Sequence, residues 1–253
     1  KIYKNLEVKA IMNKYAYIHG YHAATHALYN EDRAIKEIFI TKNAYKKIVE
    51  NNNIDIHKFN TKIVESKIIN GMLDGNQVHQ GILIVSEKKK IIAINDYDFS
   101  NSKRVIFLDN VVDPRNIGAI IRTCAAYNCK TIITTNKFEQ LDEGIIAKAS
   151  SGGLEYIDII TSNNLSNCLN ELKKNKYWLI GFDSEANSNI EDSVFNLQDR
   201  IVLIFGEEGK GMRNLTKKLC DMTYRVNTIG EIKSLNVSVA IGIILDKITP
   251  NSG

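Results

Sequence analysis

From residue 104 onward the chain alternates two hydrophobic patterns. The first is short and unbroken: Val105–Leu108, Thr131–Thr134, Trp178–Asp183 and Ile201–Phe205 are compact runs rich in apolar residues, each ending on or followed by Asp, Thr or Gly. Unbroken runs of that length predict strands buried on both faces. The second pattern has the helical period. It covers Asn116–Tyr127, the stretch EGIIAKASSGG from Glu143, and the segment from Ser234, where Leu235, Val239, Ile243 and Asp246 follow at helical spacing. Asn116 and Ser234 are the residue types that start helices, because their side-chain oxygens accept from orphan backbone N–H groups. Strands alternating with helices predict an α/β fold with a parallel sheet.

The first third reads as a smaller α/β unit. Residues 1–16 show little periodicity and predict a loose arm. A glycine turn at Gly20 then precedes a helix over Tyr21–Tyr29. EIFI (Glu37–Ile40) and TKIVE are strands flanking the helix AYKKIVENN. SKIINGMLDG is a short helix that Gly75 would cap, and VHQGILIVSE and KKKIIAI add two more strands. The polar stretch DYDFSNSK predicts a linker. At 253 residues the chain exceeds the usual single-domain size. The expected division is residues 17–95, a linker at 96–103, and a second domain at 104–250.

Composition narrows the class. With 44% hydrophobic and 25% charged residues the chain is neither disordered nor fibrous. No apolar run reaches about 18 residues, so no membrane span is expected, and the opening KIYKNLEVKAIMNKY has no signal-peptide core. Four scattered cysteines without a C-x-x-C pair predict no zinc knuckle or disulfide framework and fit a reducing, cytoplasmic setting. The net charge of +4 is uneven: residues 1–86 carry +4, residues 87–103 carry +1 and residues 104–253 carry −1. That excess in the first third suits contact with phosphates, and a solvated surface explains it nearly as well. Lys88–Lys90 reads as a solvated run. His22 and His26 are four apart near His19, but no metalloprotease Glu or third ligand accompanies them, so no metal is expected. His79 is a structural or RNA-facing polar group.

The chemistry gathers in the last fifty residues, which open with IVLIFGEEGKGM and close with KSLNVSVAIGIILD. Gly206, Gly209 and Gly211 let the backbone turn and approach a ligand closely. The loop is not a phosphate loop, since no Ser or Thr follows its lysine, and its spacing is not that of a dinucleotide fingerprint. In isolation, a tight strand-to-helix connection accounts for these glycines. Two glycine-bearing turns after two strands and before two helices nevertheless mark the place where open α/β sheets bind small molecules. Upstream, Gly118 and Arg122 share a face of the helix that Asn116 opens.

The blocks DPRNIGAIIRT, IFGEEGKGM and SLNVSVAIG, in this order, resemble the three motifs of the SPOUT superfamily of RNA methyltransferases, and within it the ribose 2′-O-methyltransferase branch. HGYHAATHAL and VHQGI resemble the small ribosomal-protein-like RNA-binding domain that precedes the catalytic domain in bacterial 23S rRNA guanosine-2′-O-methyltransferases. The resemblance spans about residues 17–248. It implies a trefoil-knotted second domain, S-adenosylmethionine held in the knot loops, a homodimer, and 23S rRNA as substrate, with no DNA. By position, backbone groups of Gly206, Val226 and Leu235 would hold the cofactor. Asn116, Arg122, Glu208, Ser234 and Asn236 would surround the ribose and the methyl donor. Relatives often carry proline where Asn227 stands in the loop Val226–Lys233.

The resemblance often assigns Arg122 as general base. A guanidinium with a pKa above about 12 is costly to neutralise. A cation that stabilises the developing alkoxide and orients a phosphate is the better physical role, with the proton leaving through water or a phosphate oxygen. Two other readings stand beside this one: the same reaction on a tRNA ribose, and a catalytically silent RNA-binding or ribosome-assembly protein that keeps the fold.

Overall fold

The computed structural model describes residues 14–52, 54–73, 77–192, 200–232 and 234–249. The expected Gly75 cap and Lys233 lie outside them. The chain forms two compact units. The first comprises the residues up to Lys90 together with Asp142–Glu155, and the second comprises Ile91–Leu141 and the residues from Tyr156 onward.

In the first unit, β1 (Tyr15–His19), α1 (Tyr21–Tyr29), β2 (Ile35–Ile40), α2 (Lys42–Asn52), β3 (Thr61–Ile63), α3 (Ser66–Met72) and β4 (Ile82–Glu87) build a four-stranded sheet in the order β1-β4-β2-β3. β4 runs antiparallel to both neighbours, and β3 is parallel to β2. Gly20, at φ 92°, makes the turn from β1 into α1. Ile18, Ile38 and Ile84 are fully buried, as expected for positions facing the helices.

Asp142–Glu155 is fastened to this unit by one buried cation. Arg33 donates from Nη1 to Glu143 Oε1 at 2.7 Å and from Nη2 and Nε to Glu155 at 2.6 and 3.1 Å. The spare carboxylate capacity is filled by the Lys89 amide on Glu143 and by Asn30 Nδ2 on Glu155. The contact is close. A Cβ at Gly144 would lie 2.6 Å from the Tyr17 carbonyl oxygen, and one at Gly152 would lie 2.4 Å from the His26 ring. His26 is thus a packing residue, and His79 is a structural one. Gly81 N–H donates to His79 Nδ1 at 3.0 Å, which puts the ring proton on Nε2, facing Asn70 Oδ1 and Ser66 Oγ.

The second unit carries β5 (Ile92–Ala93), β6 (Arg104–Asp109), α4 (Pro114–Ala126), β7 (Thr131–Thr135), β8 (Asp158–Ser162), α5 (Leu165–Lys174), β9 (Trp178–Phe182), β10 (Ser188–Asn189), β11 (Ile201–Gly206), α6 (Asn214–Leu219), β12 (Met222–Arg225) and α7 (Val237–Ile248). Its sheet is parallel throughout, in the order β10-β12-β9-β11-β6-β7-β8-β5. Alternation along the strands divides the core. Val105, Phe107, Val202 and Ile204 pack with Leu165, Leu169 and Leu172 of α5, while α4 and α7 pack on one another.

Three expectations change. The KKKIIAI strand reduces to Ile92–Ala93 and pairs with β8 in the second unit, not within the first. Asn116 does not cap α4: Asp113 does, accepting from the Arg115 and Asn116 amides, with Pro114 at the first helical position, where its missing N–H costs nothing. Ser234 does not start α7: Asn236 caps it. Leu235 and Val239 are exposed, and Val237, Ile241, Ile244 and Leu245 form the buried face.

Candidate active site at the carboxyl ends of the second sheet

β11 lies between β9 and β6, so the strand order reverses there, and ligands of open parallel sheets bind where it reverses. β11 breaks at Gly206 into a loop that doubles back: Gly211 N–H donates to the Glu207 carbonyl at 2.8 Å. A Cβ on Gly206 would fall 2.0 Å from the Gly211 carbonyl carbon. Only glycine fits that position. Gly209 and Gly211, at φ 86° and 67°, complete the reversal.

This loop presents Glu208 to two helix starts. Because Asp113 satisfies the first amides of α4, the Asn116 side chain is free to donate from Nδ2 to Glu208 Oε2 at 3.1 Å. Asn236 caps α7 through Oδ1, which accepts from Ser238 N at 2.9 Å and Ser238 Oγ at 2.6 Å. Its Nδ2 then donates to Asn116 Oδ1 at 3.0 Å and, more weakly, to Glu208 Oε2 at 3.4 Å. Three residues from three separate sequence blocks therefore share one hydrogen-bond network, with Glu208 as its acceptor.

Beside the network lies a cavity of about 700 Å³. Gly206, Glu208, Val226, Ser234, Leu235 and Asn236 line it, as does the stacked pair Phe182 and Phe205, with ring centroids 4.9 Å apart. Its charged lining is wholly acidic: Asp183, Glu185, Glu207, Glu208 and Glu231, without a Lys or Arg among the described residues. Burial works against ionisation of Asp183, but Lys217 and the Glu185 amide outweigh it and hold the carboxyl below its usual range. An apolar floor under a ring of carboxylates fits a ligand that joins flat apolar surface to positive charge, as an adenosyl sulfonium does. It repels a polyphosphate. A second cavity, about 870 Å³, lies against Asn95–Ser100 and α5 and shares no residue with the first. None of the motif residues lines it, so it carries no part of this site.

Of the residues singled out by sequence, Asn116, Glu208 and Asn236 meet, and Gly206, Val226, Ser234 and Leu235 line the cavity. Arg122 stands apart. It is exposed on α4, outside the cavity lining, without a hydrogen bond or ion pair among the described residues. Phe182, Asp183 and Glu231 line the cavity without having been singled out. Asp183 follows the apolar run WLIGF at a carboxyl strand end, which is the signal that marks it.

The SpoU rRNA Methylase family model matches residues 103–246, and the model for RNA 2′-O ribose methyltransferase substrate binding matches residues 17–91. The chain belongs to the SpoU rRNA methylase family. It is an S-adenosylmethionine-dependent RNA ribose methyltransferase of that family. Among similar curated proteins, the 23S rRNA (guanosine-2′-O-)-methyltransferase RlmB of Haemophilus influenzae is 33% identical over 91% of this chain and 96% of its own. A protein of Borreliella burgdorferi named uncharacterized tRNA/rRNA methyltransferase is 32% identical over 80% of this chain and 90% of its own. Among solved structures, the SpoU methyltransferase AviRb of Streptomyces viridochromogenes, in complex with AdoMet, shares the fold at a TM-score of 0.77 and 17% identity, covering 95% of this chain and 91% of that one.

Proposed function

We propose that this SpoU methylase methylates the ribose 2′-hydroxyl of a guanosine in 23S rRNA. The acid-lined cavity beside the Asn116–Glu208–Asn236 network carries the reading, and the Haemophilus influenzae relative, matched over nearly both full lengths, supports the substrate. When bound, S-adenosylmethionine supplies an electrophilic methyl group on a cationic sulfur. The residues of the chain do the rest. Backbone groups at Gly206, Val226 and Leu235 hold the cofactor, and the surrounding carboxylates favour its positive charge. Asn116, Glu208, Ser234 and Asn236 orient the ribose. Arg122, free on its helix, stabilises the developing alkoxide and steadies a neighbouring phosphate.

The division of labour expected from sequence, residues 17–95 binding RNA, 96–103 linking and 104–250 transferring methyl, shifts with the compact units: RNA binding falls to the residues up to Lys90 with Asp142–Glu155, and methyl transfer to Ile91–Leu141 and the residues from Tyr156 onward. The trefoil knot belongs to the same proposal. β11 inserts between β9 and β6, the chain continues to β12 on the far side of β9, and α7 returns to pack on α4. So does a homodimer, for which the exposed Ile229, Ile232 and Val239 supply apolar surface near the cavity. A cytoplasmic setting agrees with four free thiols. The Borreliella burgdorferi relative keeps tRNA ribose as the second reading.

The deciding experiment is tritiated methyl transfer from S-adenosylmethionine to unmodified 23S rRNA and to bulk tRNA, with the modified nucleotide mapped. Ribose methylation of one guanosine in 23S rRNA is expected. Transfer to tRNA alone would replace the substrate, and no transfer to either would overturn the enzymatic reading.

A further inference from the structure

At the end of β6, Asp109 lies opposite Gly206 of β11 in the sheet register. Its side chain is fully buried, and both its oxygens are taken by one residue. Arg213 donates its backbone N–H to Oδ2 at 3.0 Å and its Nε to Oδ1 at 2.6 Å. The Arg213 side chain is nevertheless 57% exposed. Its two terminal nitrogens meet no acceptor among the described residues, and it does not line the acidic cavity.

A guanidinium gripped at Nε has lost the freedom of its aliphatic stem while its outer edge stays open. An anion that docks there finds the side chain already ordered, so most of the usual entropic cost is absent. The neighbouring residue reinforces this arrangement. Asn110, in the left-handed region at φ 66°, donates Nδ2 to Glu207 at 2.8 Å and accepts from Lys137 Nζ at 2.8 Å, tying the loops after β6, β7 and β11.

We infer that Arg213 is a preset phosphate-binding group for the RNA substrate, aimed by the buried Asp109 and placed at the end of the glycine loop that presents Glu208. The inference rests on the reading of this chain as an RNA methyltransferase. The open position of the terminal nitrogens, outside the cavity, favours RNA phosphate over the cofactor carboxylate. With one phosphate on one fixed cation, Arg213 sets where the backbone lies and leaves base choice to other residues.

The test measures binding directly, with the full-length protein and an unmodified 23S rRNA transcript over a salt series, alongside calorimetry with S-adenosylmethionine and thermal melts. Arg213→Gln is expected to weaken RNA binding about tenfold and to reduce the log–log salt slope by about 0.7 to 0.9, with cofactor affinity within about twofold of the parent. Asp109→Asn gives the sharper contrast, since it makes the protein one charge more positive. Unspecific attraction then predicts equal or tighter RNA binding, whereas loss of aim predicts binding about three- to tenfold weaker. Equal or tighter binding by a folded Asp109→Asn overturns the inference. So does an unchanged slope in Arg213→Gln, or a cofactor affinity that falls while RNA affinity holds. RNA binding that follows the expected pattern in a protein that transfers no methyl would leave Arg213 its role and remove the proposed activity instead.

Discussion

Asn236 Nδ2 lies 3.0 Å from Asn116 Oδ1, and this single contact ties the start of α7 to the first turn of α4. The same asparagine caps α7 with its oxygen. Its two ends therefore serve different purposes, and substitutions can separate them.

Asn236→Asp keeps the cap oxygen but replaces the donating amide by a carboxylate facing Glu208. Helix capping is expected to survive, since Asp and Asn cap about equally well, with a change within about 0.5 kcal/mol. Methyl transfer is expected to fall about 100-fold from lost alignment. Thermal melts and single-turnover rates read the two effects independently. A variant as active as the parent would remove the network from the reaction.

Arg122→Ala is expected to lower kcat about 10²- to 10³-fold while cofactor affinity stays put, because Arg122 is exposed and outside the cavity lining. Arg122→Lys, which keeps the charge, is expected to retain measurable turnover. Equal loss in both variants would count against an electrostatic role.

Gly206→Ala must displace the Gly211–Met212 backbone, since its methyl would lie 2.0 Å from Gly211. The expected cost is about 1–3 kcal/mol or more, with cofactor binding lost because the loop lines the cavity. Calorimetry and denaturant unfolding measure each part.

Acid should loosen the first unit before the second. Burial holds the His19 and His79 imidazoles below their ordinary value of 6.5. Protonating His79 would also set an N–H against the Gly81 amide. A depressed imidazole pKa means the fold prefers the neutral ring. Its contribution is complete above pH 6.5 and is lost as the pH falls through that value towards the folded-state pKa. Thermal midpoints recorded from pH 7.5 to 5.5 should decline, and His79→Asn should flatten the decline. Equal slopes in parent and variant would exclude His79 as a contributor.

Arg33→Met strands Glu143 and Glu155 in the interior, and breaking a buried ion pair from one side costs about 3–5 kcal/mol. Urea unfolding should show the loss, and Arg33→Lys should restore only part of it, because one ammonium cannot span both carboxylates.

The strands after residue 104 were legible because strands buried on both faces must be almost wholly apolar, and β6, β9 and β11 are. The helix starts were less legible. Asn116 and Ser234 are good capping types, yet Asp113 before a proline and Asn236 two residues further on win, and the choice depends on which amides the fold leaves open. Which apolar stripe of α7 turns inward was not legible either: Val237, Ile241, Ile244 and Leu245 are buried while Leu235 and Val239 are exposed, because the choice depends on what the helix packs against. The meeting of Asn116, Glu208 and Asn236 followed from motif resemblance, and no spacing rule predicts it. Asp109 and Arg213 lie 104 positions apart, and nothing in a linear pattern couples them.

The segment Asp142–Glu155 interrupts the second unit in sequence and belongs to the first in space. A graft that exchanged only the chain before residue 91 for that of a relative would leave Glu143 and Glu155 facing a foreign surface without Arg33. Swapping RNA-binding modules among such enzymes therefore calls for transplanting two pieces together, and a gene fusion at the linker alone should yield insoluble or unstable hybrids unless the recipient supplies its own arginine at that place.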